Sequence, residues 1–227
     1  MAKSKTKNTS RVSSPAVHPR HGLPGFFITL EGGEGAGKSS QMTLLKTRLE
    51  EAGKTVLTSR EPGGSCGAEA VRHVLLSGAA EPFGAEMEAI LFSAARSDHV
   101  ETVIKPALKN GSVVISDRFF DSTRVYQGLT RGDLRDVVDK LHALMIGREA
   151  DLTLLFDMDP KLGLARAKAR QTSEERFEDM GLEMQLAMRQ GFLALAKGAP
   201  ERFAVIDAGR DIEAIAADAL AAVRASL

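Results

Sequence analysis

The residues that could do chemistry gather first at Gly32, Gly33, Glu34, Gly35, Ala36, Gly37, Lys38 and Ser39, which satisfy G-x-x-x-x-G-K-[ST] at every fixed position. A loop of this kind holds polyphosphate. Its glycines let the backbone curl until several N–H groups point inward, and a helix beginning near Lys38 adds its positive N-terminal end. The Lys38 ammonium then reaches the β- and γ-phosphates, and the Ser39 hydroxyl becomes a ligand for magnesium. A second group closes the apolar run Ser112 to Asp117, where a carboxylate at a strand end can hold magnesium or accept a proton. Arg118 follows at once, and Thr123, Tyr126 and Gln127 bring a hydroxyl, a phenol and an amide within a few residues.

Two further groups are open to two readings each. Phe92, Arg96 and His99 are spaced four and three apart, on a helix face nearly opposite the apolar stripe Met87, Ile90, Leu91 and Ala94. They form either a platform for a planar ligand or a Phe packed on a second layer beside an Arg in a surface ion pair. Arg166, Lys168, Arg170 and Arg176 lie in a polar segment without a core pattern. Such a run is either a solvated face or a flap that carries cations over a transferring phosphoryl group and sheds water.

The elements that must position these groups alternate strand and helix. Strands are expected at 26–30, 55–59, 112–117, 152–156 and 203–206. Helices are expected at 41–52, 68–77, 85 to about 109, 133–146, from Pro160, around Met184 to Leu195, and over the C-terminal stripe Ile212, Ile215, Leu220 and Val223. Alternation of this kind predicts an α/β fold with a parallel sheet covered on both faces. Arg60 and Glu61 then stand at a strand's C-terminal end, where open α/β sheets put their chemistry.

Composition narrows the function classes. The 227 residues carry 30 basic and 30 acidic side chains. No global field therefore favours nucleic acid or an anionic membrane, and no apolar run is long enough to span one. The single cysteine, Cys66, excludes an internal disulfide and fits a reducing, cytoplasmic compartment. Residues 1–24 are basic, acid-free and nearly devoid of apolar side chains, so a disordered tail is expected there, with an organelle transit peptide as the alternative. One domain is expected over 25–227, with a small mobile lid at about 166–180.

A GTP-dependent switch would need N-K-x-D and D-x-x-G motifs, and the chain has neither. The ordered series GEGAGKSS, TSREPGG, LFSAAR and SDRFFDSTRVYQG resembles the bacterial thymidylate kinases from about Phe26 to the C-terminus. That resemblance implies a P-loop kinase fold with a five-stranded parallel sheet, a homodimer, and phosphorylation of dTMP to dTDP by ATP and magnesium. It implies that Phe92 stacks on thymine and Arg96 bonds its carbonyl, with Thr123 and Gln127 near the base. Tyr126 would favour deoxyribose, Glu34 would contact the 3′-hydroxyl, and Arg60 and Arg118 would hold the acceptor phosphate. Asp117 and Ser39 would serve the metal. Arg166, Arg170 and Arg176 would supply the cations missing from a loop that has no arginine. The lid departs from the family pattern, with Glu175-Arg176-Phe177 where Asp-Arg is usual. A deoxynucleoside kinase, or a nucleotide-binding regulator that has lost turnover, is the alternative.

Overall fold

The computed structural model describes residues 21–129, 133–170 and 181–227. Five parallel strands, β1 (Phe26–Glu31), β2 (Val56–Arg60), β3 (Val113–Asp117), β4 (Leu152–Asp157) and β5 (Phe203–Asp207), lie in the order β2-β3-β1-β4-β5. β1 is central, and its alternation assigns the two layers. Phe26, Ile28 and Leu30 face Leu45 and Leu49 of α1 (Lys38–Glu51) and Ile215 and Val223 of α9 (Ile212–Ser226). Phe27 turns to the other layer, among Ala89, Val100, Ile104, Leu108 and Val138. Those residues come from α3 (Gly84–His99), from the π-helical turn Val100–Ile104 that joins it to α4 (Lys105–Lys109), and from α6 (Arg135–Met145). A third cluster joins Val125 and Tyr126 of α5 (Phe120–Tyr126) to Met188 and Phe192 of α8 (Gly181–Gly198). α2 (Cys66–Leu76) and α7 (Pro160–Arg170) complete the helices of the described residues.

The helix ends follow the local sequence where it supplies caps. The Ser65 hydroxyl accepts from Ala68 N at 3.4 Å at the head of α2, and the Asp211 carboxylate accepts from Ala214 N at 2.9 Å at the head of α9. Pro160 starts α7 at the position where a missing N–H costs nothing.

The structure departs from the sequence reading in three places. The stripe Met87, Ile90, Leu91 and Ala94 is not the buried face of α3. Met87 and Ile90 are exposed, and the buried positions are Glu88, Ala89, Ser93, Ala95, Arg96 and His99. Polar groups turn inward because ion pairs and hydrogen bonds satisfy them, which a hydrophobicity pattern cannot register. α5 lies in a stretch whose sequence shows no helical pattern. The packed body also begins ahead of residue 25: His21 is 8 % exposed, its Nε2 lies 2.6 Å from Asp151 Oδ2, and its carbonyl accepts from Arg148 Nη1 at 3.0 Å. Residues 1–20 of the expected tail, and 171–180 of the expected lid, lie outside the described residues.

Candidate active site

Strand register sets the scaffold. Leu30 of β1 and Arg60 of β2 both pair with Asp117 of β3, so three strands end abreast at their carboxyl edge. From that edge the chain turns through the glycine loop into α1. Gly35 has φ 71, and a Cβ there would collide with the Gly163 carbonyl, so a side chain is excluded on both counts. Lys38 is 8 % exposed and its Nζ donates to the Gly32 and Gly33 carbonyls, each at 3.0 Å. Burial and the nearby Arg118 lower the Lys38 pKa, against Glu34 and Asp117, which oppose the change.

Arg118 connects the loop to the next strand. It has φ 67, and among the described residues no other non-glycine residue takes a positive φ. That conformation costs on the order of 1–3 kcal/mol. It is held by Arg118 N donating to the Leu30 carbonyl at 2.9 Å and by Ser116 Oγ donating to the Arg118 carbonyl at 2.8 Å. The strained backbone aims the guanidinium back at the loop. Nη1 donates to the Gly32 carbonyl at 3.3 Å and to Ser122 Oγ at 3.1 Å, while Nη2 donates to Glu34 Oε1 at 2.5 Å. The Tyr126 hydroxyl donates to the same Glu34 oxygen at 3.4 Å, and the Arg118 guanidinium lies 5.3 Å from the Tyr126 ring centroid. Burial would raise the Glu34 carboxyl, but Arg118 and Lys38 outweigh it and hold its pKa below the usual range.

A hydroxyl and a carboxylate form the candidate metal position. Ser39 Oγ donates to Asp117 Oδ2 at 3.2 Å, and the buried Asp117 Oδ1 has no partner among the described residues. Two oxygen donors with one lone-pair set unengaged fit magnesium, which takes the rest of its shell from phosphate oxygens and water. No group of three or more His, Cys, Asp or Glu side chains forms a self-sufficient metal cage among the described residues.

A second pocket wall is built on α3. Arg96 is 2 % exposed, and its Nη2 donates to Thr123 Oγ1 at 3.1 Å and to the Phe119 carbonyl at 3.3 Å. Its Nε donates to Glu61 Oε2 at 2.6 Å, so the surface-ion-pair reading is replaced by a buried pair. Arg96 Nη1 is buried without a partner among the described residues. Phe92, one turn earlier, is partly exposed. Gln127 is buried and donates through Nε2 to Glu88 Oε2 at 3.3 Å. One wall thus carries an ammonium and a guanidinium, and the other an aromatic ring and a buried guanidinium, a combination suited to phosphorylated ligands and a planar base.

The family model for thymidylate kinase matches residues 30–219. The chain belongs to the thymidylate kinase family. It is 60 % identical over 194 residues to the thymidylate kinase of Ruegeria pomeroyi, covering 86 % of this chain and 92 % of that protein. It is 53 % identical over 198 residues to the enzyme of Dinoroseobacter shibae, covering 87 % and 96 %. The crystal structure of thymidylate kinase from Ehrlichia chaffeensis superposes with a TM-score of 0.71 at 32 % identity, covering 88 % of this chain and 98 % of that one.

In this thymidylate kinase fold the predicted site residues meet in small groups. Arg118 and Tyr126 meet at Glu34, Lys38 and Arg118 share the Gly32 carbonyl, Ser39 pairs with Asp117, and Arg96 pairs with Thr123. Arg60 stands at the rim, exposed, its Nη2 3.4 Å from Glu69 Oε1. Arg166 lies away from these groups, with Nη1 donating to the Ala208 carbonyl at 3.2 Å and 3.8 Å from Met158 Sδ. The Arg170 side chain and Arg176 lie outside the described residues. Sequence reasoning missed Glu31, which is fully buried and accepts from Phe119 N at 2.9 Å, Ser122 N at 3.2 Å and Ser122 Oγ at 2.6 Å. The signal was present: Glu31 ends a strand beside the loop, as Asp117 does.

Proposed function

We propose that this cleft transfers the γ-phosphoryl group of ATP to the 5′-phosphate of dTMP, giving dTDP. The observation that supports this reading is the position of Arg118, one guanidinium that reaches from the end of β3 to the Gly32 carbonyl and the Glu34 carboxylate of the glycine loop. A cation at that junction neutralises charge as it passes from donor to acceptor.

The loop amides and Lys38 hold the donor phosphates. Arg60 and Arg118 grip the acceptor phosphate, for which a forked guanidinium is suited. Phe92 stacks on the thymine ring, and Arg96 Nη1, its other two nitrogens occupied, donates to a ring carbonyl. Gln127 and Thr123 close the base pocket, Glu34 bonds the 3′-hydroxyl, and Tyr126 excludes a 2′-hydroxyl. Ser39 and Asp117 would hold magnesium, which would supply charge neutralisation to the donor phosphates. The acceptor phosphate is already ionised, so no general base is required and positioning with charge stabilisation accounts for catalysis. Arg166, Arg170 and Arg176 belong to a lid over about 166–180 whose closure adds cations and removes water.

The protein acts in the cytoplasm as a homodimer. Support for the dimer comes from the exposed apolar face of α3, with Phe83 just before it and Met87 and Ile90 along it. α2 and α6 pack on α3 and add the exposed Val74 and Val137. No described helix is long and apolar enough to cross a membrane.

The test is ADP release in the presence of ATP and magnesium against a panel of nucleosides and nucleoside monophosphates. Turnover with dTMP is expected, with little or none on thymidine. Turnover of thymidine in preference to dTMP would instead establish a deoxynucleoside kinase, and binding of ATP without turnover a regulator.

A further inference from the structure

The base-reading guanidinium has a support of its own. β2 delivers Ser59, Arg60 and Glu61 in succession, and strand alternation sends Arg60 to the solvent rim while Ser59 and Glu61 turn toward α3. Glu61 N is itself fixed by donating to the Asp117 carbonyl at 2.9 Å. The Glu61 side chain is 3 % exposed and divides its oxygens. Oε2 accepts from Arg96 Nε at 2.6 Å, and Oε1 lies 3.0 Å from His99 Nδ1. His99 is fully buried, and its Nε2 lies 2.6 Å from Ser59 Oγ. A carboxylate paired with a guanidinium can only accept, so the His99 Nδ1 that meets Glu61 carries a hydrogen.

We infer that Glu61 and His99 are positioning residues for base recognition, a chain Ser59–His99–Glu61–Arg96 that holds one guanidinium edge so that Nη1 alone is presented to the nucleobase. The inference rests on the proposed dTMP reading and deepens it. Arg96 has three nitrogens. Glu61 fixes Nε, Thr123 and the Phe119 carbonyl fix Nη2, and Nη1 has no partner among the described residues although it is buried. The Phe119 and Phe120 rings, 5.3 and 5.4 Å from the guanidinium carbon, complete the slot. A planar cation clamped at Nε and Nη2 has only the two N–H groups of Nη1 left, so a carbonyl is favoured over an amino group beside them. His99 in turn prevents the carboxylate from rotating away. The same loop thereby carries the rim Arg60 and the buried anchor of Arg96, tying phosphate grip and base reading to one turn of chain.

The test is a kinetic double-mutant cycle on the full-length enzyme with Glu61→Gln, Arg96→Met and the pair, using dTMP and dCMP as acceptors. Glu61→Gln is expected to lower kcat/KM for dTMP by about 10- to 100-fold, mainly through KM, as expected for loss of a charge-assisted hydrogen bond. The KM for ATP should stay within about twofold, and the preference for dTMP over dCMP should shrink. In the Arg96→Met background Glu61→Gln should add little, because its effect passes through Arg96. His99→Asn, whose amide N–H can replace Nδ1, should preserve the dTMP preference that His99→Leu loses, and this pair decides the matter if the Glu61 variant does not fold. Additive losses across the cycle, or a fall in kcat with the dTMP KM and base preference unchanged, would overturn the inference. Failure of the wild-type enzyme to convert dTMP would instead reject the functional reading beneath it.

Discussion

Arg118 and Glu34 stand 84 residues apart in sequence, yet Arg118 Nη2 meets Glu34 Oε1 at 2.5 Å, with the Tyr126 hydroxyl on the same oxygen. The phosphate loop is therefore locked to the end of β3 through a side chain, and the lock depends on a fork: Nη1 serves Ser122 and the Gly32 carbonyl while Nη2 serves Glu34. A lysine cannot make those contacts at once. Arg118→Lys is expected to lower kcat/KM for dTMP by about 10²- to 10³-fold, the loss typical of one preorganised charge-stabilising donor. Steady-state kinetics with each substrate varied in turn would check this. A loss below about threefold would remove Arg118 from the phosphate path.

Lys38→Ala tests the donor side. Among the described residues its ammonium bonds only to two carbonyls of its own loop, so deleting it breaks no described bond between separate elements. The fold should persist, with kcat reduced by roughly 10²-fold or more because the missing charge matters most in the transition state. Circular dichroism with single-turnover rates would separate the two effects, and near-normal turnover would reject the loop's role.

The fold and the glycine loop were legible in sequence because their signals are local. Glycine spacing names the loop, and β-branched runs name β2 and β3. What was not legible depends on partners distant in sequence. The head of α5 has no cap of its own, and the carboxylate that accepts from Phe119 N and Ser122 N is Glu31, some ninety residues away. The buried face of α3 was assigned to its apolar stripe because Arg96 and His99 count as polar until Glu61 is brought to them. The family resemblance supplied Arg96 as a base contact, but neither pattern nor resemblance supplied Glu61 as its anchor.

Phe92→Ala tests the base wall. Loss of a stacking ring is worth about 1–3 kcal/mol, so the dTMP KM should rise roughly 5- to 150-fold with ATP dependence unchanged. Measuring both Michaelis constants checks this. An unaltered dTMP dependence would make Phe92 a packing residue.

Ile90→Glu tests the exposed face of α3. Ile90 is 49 % exposed, so the charge is harmless in a monomer but would have to lose its water in a helix-to-helix contact between copies. Sedimentation velocity should show a dimer for the wild type and a monomer for the variant, with thermal stability of the monomer unit little changed. A wild type that sediments as a monomer at micromolar concentration would sink the dimer.

Glu31→Gln tests the buried acid behind Arg118. Burial, and then the Asp121 charge, push the Glu31 carboxyl from 4.5 up to about 7, against the opposing pull of Arg118, Ser122 and Phe119 N. Below about pH 4.5 the folded and unfolded chains both carry the proton and Glu31 contributes no pH dependence. Between 4.5 and 7 the unfolded chain releases the proton while the folded chain keeps it, so stability falls as pH rises. The loss totals on the order of 3 kcal/mol and levels off above pH 7. Glutamine imitates the protonated acid and does not titrate. Urea denaturation at pH 5, 6, 7 and 8 should therefore show the wild type losing stability relative to Glu31→Gln across that interval. A wild type that gains stability relative to the variant as pH rises would mean the three hydrogen bonds outweigh burial, and Glu31 would be an ionised anchor for Ser122 and Arg118.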